Sequence, residues 1–289
     1  MVLSSRTFCD SLIMKLKLPN WGSLCNPNLL MNSDYRSGII NQKGETSYTG
    51  LGTTVLTIDG WISYGINVGL NATSVKFINR DSSYHTIRQK FDKKLKSNEI
   101  YTAYMKVINL SGMAYINPKT DKTKLQKIIN GDNLYTFVAG DASGANVQDN
   151  EFIIGLEAGA EVEIQFMKLE PGEHFTGMPP WNRAEELIKC MYLFEKKIIN
   201  VMCSQFNATT CYASIPYSTP KIKIPSITGK CTWVGSNSGQ GIGENKITKL
   251  EATNIQDEYV DIKVTHESAN FGQYSRNVFV ELYIDSYSY

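Results

Sequence analysis

Apolar and polar residues alternate with a period of two in many short stretches of this chain. The clearest stretch covers residues 161–169, in which Val162, Ile164 and Phe166 are separated by charged or amide side chains. Because successive side chains of a strand point to opposite faces, this pattern predicts a half-buried β-strand. The same pattern occurs at residues 221–224, 260–264 and 277–285.

Shorter strand-like stretches fill the first half of the chain. They are residues 54–58, 74–78, 101–110, 135–139 and 152–156, and clusters of Gly, Asn, Asp and Ser separate them. Parallel βαβ units need helical patterns of about 10–15 residues between their strands, and these stretches lack them. The sequence therefore predicts an all-β protein with antiparallel β-sandwich domains.

One segment, residues 183–201, has helical spacing instead. Its apolar residues are spaced by 4, 3, 4 and 3 positions, at Leu187, Met191, Phe194, Ile198 and Val201. This stripe predicts a short amphipathic helix that joins the two domains. Two heptads are too few for a coiled coil, so packing within the chain and an oligomer seam both remain open.

Length and charge narrow the class of protein. The 289 residues fit about two domains. Lys and Arg total 29 against 28 for Asp and Glu, so the net charge of +1 gives no broad attraction to nucleic acid or anionic lipid. No apolar run approaches about 18 residues. We expect neither nucleic-acid binding nor membrane insertion.

The residues that usually carry chemistry are scattered. The 6 cysteines and 3 histidines form no zinc-type spacing, and no GxSxG elbow is present. We expect free buried thiols, no metal, no cofactor and no enzymatic activity. The glycine-rich residues 235–245 lack the Gly-Lys-Ser/Thr ending of a phosphate loop, which favours a hairpin or a binding loop.

Aromatic residues are the candidates for a binding role. The chain has 16 tyrosines, and Tyr combines an apolar ring with a polar tip, which suits sheets and wet binding surfaces. Sugar rings stack on Trp and Tyr, so the candidate ligand-binding residues are Trp61, Trp233, Tyr212 and Tyr274. Each of these four residues also fits a place in the core or in an interface.

Two stretches resemble a family of bacteriophage tail-fibre proteins. The first, NPNLLMNSDYRSGIINQKG at residues 26–44, is followed by DGW at residues 59–61. It is similar to the family's opening "N-L-L-x-N-x-D-F", its "I-N-Q-R-G" and its "D-R-W". Gly60 stands where the family usually has Arg.

The second stretch, KLEPGEHFTGMPPWNRAEELIKCMYLF at residues 168–194, is similar to the family's closing strand "K-L-E-x-G" and its "P-x-P-R-x-x-x-E-E-L-x-x-C-Q-R-Y-Y". Met191 and Tyr192 replace Gln and Arg. The resemblance implies a carbohydrate-binding-type jelly roll between the two stretches. A smaller β-domain follows in that family, and its opening Met-Arg pair is missing here.

The resemblance implies four parts of the chain and a role for it. The parts are an attachment segment at residues 1–25, a jelly roll at 26–172, a linker with the helix at 173–201 and a C-terminal β-domain at 202–289. The role is that of a non-enzymatic virion protein, made in the bacterial cytoplasm, which attaches to host cell-surface polysaccharide as a homotrimer. Residues 1–25 would bind other tail or baseplate proteins. Two alternatives stay open, a purely structural head, baseplate or tail decoration and a polysaccharide depolymerase.

Overall fold

The structure is a computed structural model, and it describes residues 25–50, 54–90, 95–96, 98–117, 125–139, 151–207, 209–221, 223–236, 241–267 and 276–286. In this part of the chain all strand pairings are antiparallel, and the one α-helix lies between two sheet systems. The predicted all-β class is confirmed.

The first unit is a sandwich of two six-stranded sheets. One sheet has the order β1-β4-β5-β12-β7-β10 and the other the order β2-β3-β6-β11-β8-β9. The strands are β1 Ser47–Tyr48, β2 Thr54–Leu56, β3 Ile62–Tyr64, β4 Ile66–Leu70, β5 Val75–Asn79, β6 His85–Lys90, β7 Ile100–Ser111, β8 Ala114–Asn117, β9 Gln126–Lys127, β10 Gly131–Val138, β11 Glu151–Leu156 and β12 Glu161–Pro171.

Side-chain alternation places the core of this sandwich. In β12, Val162 and Ile164 are fully buried in the core, while Glu161 and Glu163 face outward. A register shift around Ile164 changes the alternation, so that Met167 and Leu169 face the core further along. The outer face of β12 therefore carries Lys168 and Glu170 where the chain leaves the sandwich.

The second unit is a single seven-stranded sheet with the order β16-β15-β19-β13-β14-β18-β17. Its strands are β13 Phe194–Asn207, β14 Thr210–Pro216, β15 Ser226–Ser236, β16 Gly241–Gly243, β17 Ile247–Ile255, β18 Tyr259–His266 and β19 Arg276–Asp285. Its core is one apolar cluster, to which β14, β15, β18 and β19 contribute fully buried side chains, among them Ile215, Val234, Val260, Val278 and Leu282. The glycine-rich segment is a hairpin, because Gly235 pairs with Gly241.

The helix α1 covers Arg183–Met191 and is shorter than the sequence predicts. Residues 194–201 belong to β13 and pair with β19. The predicted helix over 183–201 is thus wrong in its second half, and the second unit begins at Phe194 instead of residue 202. The β-branched Ile198, Ile199 and Val201 suit a strand, and β19 pairs with β13 from Phe194 to Cys203 before β14 takes over at Ser204.

A second correction concerns residues 221–224. The Lys/Ile alternation there predicts a strand, yet the described residues of this segment lie outside the strands. Pro220 and Pro225 flank the segment and remove two backbone donors. Lys221 is instead buried in an ion pair with Glu195.

An apolar cluster lies where the two units and α1 meet. It contains Met31, Ile40, Leu56 and Ile62 of the first unit together with Cys190, Leu193 and Phe194. In the described part of the chain, the helix present is neither long nor apolar enough to cross a membrane.

Candidate functional site at the joint of the two units

Asn32 is the centre of a buried polar network at this joint. Its Nδ2 donates to Ile40 O at 2.7 Å and to Asp59 O at 2.9 Å, and its Oδ1 accepts from Ile40 N at 2.8 Å. Its backbone N–H donates to Glu186 Oε2 of α1 at 2.7 Å. Asn32 has a φ of 47°, a left-handed conformation that Asn tolerates better than most residues. The side chain and the backbone of Asn32 together thus join residues 40, 59 and 186.

Asp59 and Gln42 continue the network toward the second unit. Asp59 accepts from Gln42 N at 3.0 Å and from Gln42 Nε2 at 2.6 Å, and the same Nε2 donates to Phe194 O at 2.9 Å. Lys196 N donates to Gln42 Oε1 at 3.2 Å. Burial raises the pKa of Asp59 to about 6, although the bonds from Gln42 and the charge of Lys43 oppose this shift.

Gly60 adopts a conformation that suits glycine. Its φ is +87°, and a Cβ at this position would come within 2.8 Å of Met31 Cγ and 3.2 Å of Gln89 Nε2. Glycine therefore fits both the space and the backbone conformation at this position.

The segment after β12 folds back over the outer face of the first sandwich. Lys168, which is fully buried, donates from Nζ to Glu170 Oε2 at 2.9 Å, to Thr176 Oγ1 at 3.0 Å and to Gly177 O at 2.5 Å. Thr176 N donates to Glu170 Oε1 at 2.9 Å. These bonds hold residues 173–181 in place and lead the chain to α1.

A cleft of about 180 Å³ lies between this returning segment, the start of α1 and residues 27–34. We call it the Trp181 cleft. Pro179, Pro180 and Trp181 give it an apolar wall, and its polar lining includes Asn28, Ser33, Asp34, Asn182, Glu185 and Glu186. Trp181 is half-buried, and its indole Nε1 has no hydrogen-bond partner among the described residues.

A larger and more open cleft, of about 360 Å³, lies between Lys43 and Glu45 of the first unit and Phe194, Tyr283 and Asp285 of the second. Its aromatic surfaces are already covered. Phe194 is 1% exposed, and Lys196 Nζ lies 5.3 Å from the ring centre of Tyr283. Burial lowers the pKa of Lys43, whose Nζ donates to Leu56 O at 2.6 Å.

The aromatic candidates from the sequence do not converge on one site. Trp61 is fully buried, with its ring centre 6.2 Å from that of Phe77 and its Nε1 donating to Asn32 O at 3.3 Å. Since stacking on a sugar needs an exposed ring face, Trp61 is a core residue and we withdraw it as a binding candidate. Tyr274 lies outside the described residues.

Trp233 and Tyr212 are half-buried residues of the second unit. The Trp233 ring lies against Gly241, where an added Cβ would come within 2.3 Å of its Cε2 and Nε1 atoms. Tyr212 lies between Cys211 and Ala213, which face the core, so it points outward from β14. The structure does not bring these two residues together with the Trp181 cleft.

Trp181 is not among the binding residues that the sequence predicts. Its position was a usable signal, because a Trp between a Pro-Pro pair and the helix-capping Asn182 lies in a connecting segment outside the strands. Within the described ranges, no group of three or more His, Cys, Asp or Glu side chains could hold a metal ion. The five described cysteines form no disulfide with one another, and all except Cys25 are buried.

No family model and no curated protein match this chain. Among solved structures, it is similar to discoidin II of Dictyostelium discoideum at 9% identity, over 71% of this chain and 78% of that one, with a TM-score of 0.20. It is also similar to HutD from Pseudomonas fluorescens SBW25 at 10% identity, over 74% of this chain and 89% of that one, with a TM-score of 0.16. Neither likeness is close enough to support a fold or a function.

Proposed function

We propose that this chain is a bacteriophage or prophage virion protein of the tail-fibre, receptor-binding kind, which attaches to host cell-surface glycans without enzymatic activity. It acts as a homotrimer, and residues 1–25 connect it to other tail or baseplate proteins. The proposal combines the sequence resemblance with the all-β architecture.

One observation carries the proposal. The two stretches that resemble the tail-fibre family contact each other directly, since Asn32 N of the first donates to Glu186 Oε2 of the second, 154 residues later. Gln42 of the first stretch donates from Nε2 both to Asp59 Oδ2 and to the backbone O of Phe194, the last residue of the second stretch. The residues that carry the resemblance therefore contact one another in the folded chain, and this contact supports the proposal.

Weak glycan sites gain strength when several copies act together. A second site on the same particle binds at a high effective concentration, so the avidity of a trimer exceeds the affinity of one chain by about 10²–10⁴-fold. A single modest cleft per chain is therefore sufficient for stable attachment.

The first test measures the oligomer and its binding. Sedimentation equilibrium of the purified full chain should give a trimer, and the trimer should bind a subset of a bacterial glycan array. A concentration-independent monomer would contradict the multivalent mechanism, and the absence of any glycan binding would contradict the attachment role.

The second test separates the alternatives. Incubation with the bound polysaccharide should release no reducing ends, whereas measurable release would identify a depolymerase. Electron microscopy of virions labelled on this protein should place it at the distal end of the tail. A position on the head, with unchanged adsorption after deletion of the gene, would identify a decoration protein.

A further inference from the structure

We infer that the outer face of the second unit's sheet is a contact surface between copies of this chain, with Ile198, Met202, Trp233 and Phe279 at its centre. We call these four residues the outer patch. The inference rests on the proposed function and gives its homotrimer an interface. It also assigns Trp233 to contact between chains instead of to ligand binding.

Two residues of the outer patch lie on β13. Ile199 and Val201 of this strand pack against the core of the second unit. Ile198 and Met202 alternate with them, so their side chains point outward. Their exposed fractions are 57% and 63%. The solvent face of an antiparallel sheet is usually polar, so two large apolar side chains on this face indicate a contact with another molecule.

Phe279 of β19 extends the apolar surface across the sheet. It is 40% exposed, and its register partners are Asn200 of β13 and Trp233 of β15. Side chains directly opposite each other have Cβ atoms about 4.5–5.5 Å apart, and diagonal neighbours are within reach of long side chains. Ile198 and Met202 are the diagonal neighbours of Phe279. The four side chains therefore form one continuous apolar surface, which is typical of an interaction site.

The size of this face fits a partner protein. All 10 residues of β19 pair with β13 on one side and with β15 on the other. At a strand spacing of about 4.8 Å and a rise of about 3.3 Å per residue, three such strands present a flat area of about 480 Å². A cleft of about 360 Å³, lined by Leu187 and Met191 of α1 and by Ile198, continues the surface. The protruding side chains and this cleft bring the accessible area toward the about 800 Å² that each partner contributes to a stable interface.

The charges beside the outer patch favour a second copy as the partner. Lys196 Nζ lies 2.8 Å from Glu281 Oε1, and Lys230 Nζ lies 3.4 Å from Glu244 Oε1. These lysines thus have carboxylate partners within the same chain, which leaves the face close to neutral. Two copies of such a face do not repel each other, and the face offers no strong attraction to a charged glycan or to a strongly charged protein. In a closed symmetric oligomer, the apolar side chains of each copy are then buried against those of its neighbours.

The test measures the association of the full chain by sedimentation velocity. Met202→Lys places a charge from every chain in the interface, so we expect the concentration at which half of the chains are associated to rise at least tenfold. Ile224→Lys is the matched control, because Ile224 is also 63% exposed and lies in the second unit outside the strands. It should associate like the wild type, and both variants should keep the wild-type circular dichroism spectrum. If Met202→Lys fails to fold, Asn200→Lys places the charge at the centre of the outer patch, at a position that is already polar and exposed.

Glycan binding separates this inference from the proposed function. A dissociated variant should bind a glycan-coated surface at least a hundredfold more weakly, because avidity is lost, and should keep its affinity for the soluble oligosaccharide. Wild-type association by Met202→Lys and Asn200→Lys overturns the inference and leaves the proposed function standing. Loss of oligosaccharide binding with unchanged association also overturns the inference, because the outer patch then holds the glycan. If the chain associates through the outer patch but binds no glycan, the inference stands and the proposed function fails. A wild-type chain that stays monomeric overturns both.

Discussion

Asp59 is the residue whose ionisation has the clearest effect on the joint. Burial raises its pKa from 3.8 to about 6. At pH values between 3.8 and about 6, Asp59 therefore holds a proton in the folded chain that it has lost in the unfolded chain. Stability from this group therefore increases as the pH falls from about 7 to about 4, by about 3 kcal/mol. We expect the free energy of unfolding of the wild type, relative to that of Asp59→Asn, to rise by this amount over that range in urea titrations.

The control for Asp59 is an exposed carboxylate. Bonds from Tyr104 and then Lys106 lower the pKa of Asp132, so its contribution has the opposite sign and is lost as the pH falls. Asp132→Asn should not reproduce the effect. If the difference in the free energy of unfolding between the wild type and Asp59→Asn does not change with pH, Asp59 has an ordinary pKa.

The buried pair of Lys221 and Glu195 gives a second prediction for single residues. Their side chains are 0% and 1% exposed, Lys221 Nζ lies 2.7 Å from Glu195 Oε2, and Ser218 Oγ donates to Glu195 Oε1 at 2.6 Å. Burial raises the pKa of Glu195, but the bonds from Lys221 and Ser218 outweigh this and hold the pKa below its usual range. Burial lowers the pKa of Lys221 despite its carboxylate partner.

Lys221→Met leaves the Glu195 charge buried without its closest cationic partner. We expect a loss of about 3–5 kcal/mol in the free energy of unfolding, with part of it recovered in the double variant with Glu195→Leu. Lys249→Met breaks an exposed pair with Glu251 and should cost less than about 1 kcal/mol. Equal losses for the two single variants would mean that burial of the Lys221 pair is unimportant.

Single residues also show the limit of sequence reasoning about the site. The sequence identifies Trp61 as an aromatic residue of interest, but only the folded chain shows that Phe77 and Phe152 surround it. Trp181 and Glu185 form a cleft with Asp34 only because the segment after β12 folds back. The closeness of these residues in space depends on tertiary packing, which local sequence patterns do not encode.

At the scale of elements, α1 depends on its N-cap. Asn182 Oδ1 accepts from Ala184 N at 3.0 Å and from Glu185 N at 3.4 Å, which satisfies donors that the first turn leaves free. We expect Asn182→Ala to lower the free energy of unfolding by about 1 kcal/mol, and Asn182→Ser to preserve it, because Ser caps equally well. Chemical denaturation of both variants is the measurement, and an unchanged midpoint in Asn182→Ala would rule out a capping role.

Most of the stretches that the sequence predicts as strands lie in strands, whereas the predicted helix is correct only in part. Residues 161–169, 260–264 and 277–285 lie within β12, β18 and β19, because one side of each strand faces an apolar core. The stripe through Phe194, Ile198 and Val201 continued the helical spacing by coincidence. A spacing of three or four residues over one short segment does not separate helix from strand when tertiary hydrogen bonds are available.

At the scale of the whole molecule, apolar and polar contacts both connect the two units. The apolar cluster at the joint has members from both units and from α1. Gln42 forms hydrogen bonds with the backbone of Phe194 and Lys196 in the second unit. Asn32 forms one with Glu186 of α1. We therefore expect the wild-type chain to unfold in a single calorimetric transition, since neither unit loses its structure without exposing this joint.

Gln42→Ala is the sharpest test of this coupling. The change removes the bonds that Gln42 Nε2 donates to Asp59 at 2.6 Å and to Phe194 O at 2.9 Å. It also removes Gln42 Oε1, which accepts from Lys196 N. We expect a loss of about 1–3 kcal/mol and a transition that broadens or splits, because both units keep their own cores while the joint weakens. Gln256→Ala, an exposed Gln in the second unit that bonds to Asn254, should leave a single sharp transition. If Gln42→Ala unfolds as sharply as the wild type with a lower midpoint, the network stabilises one unit and does not couple the two.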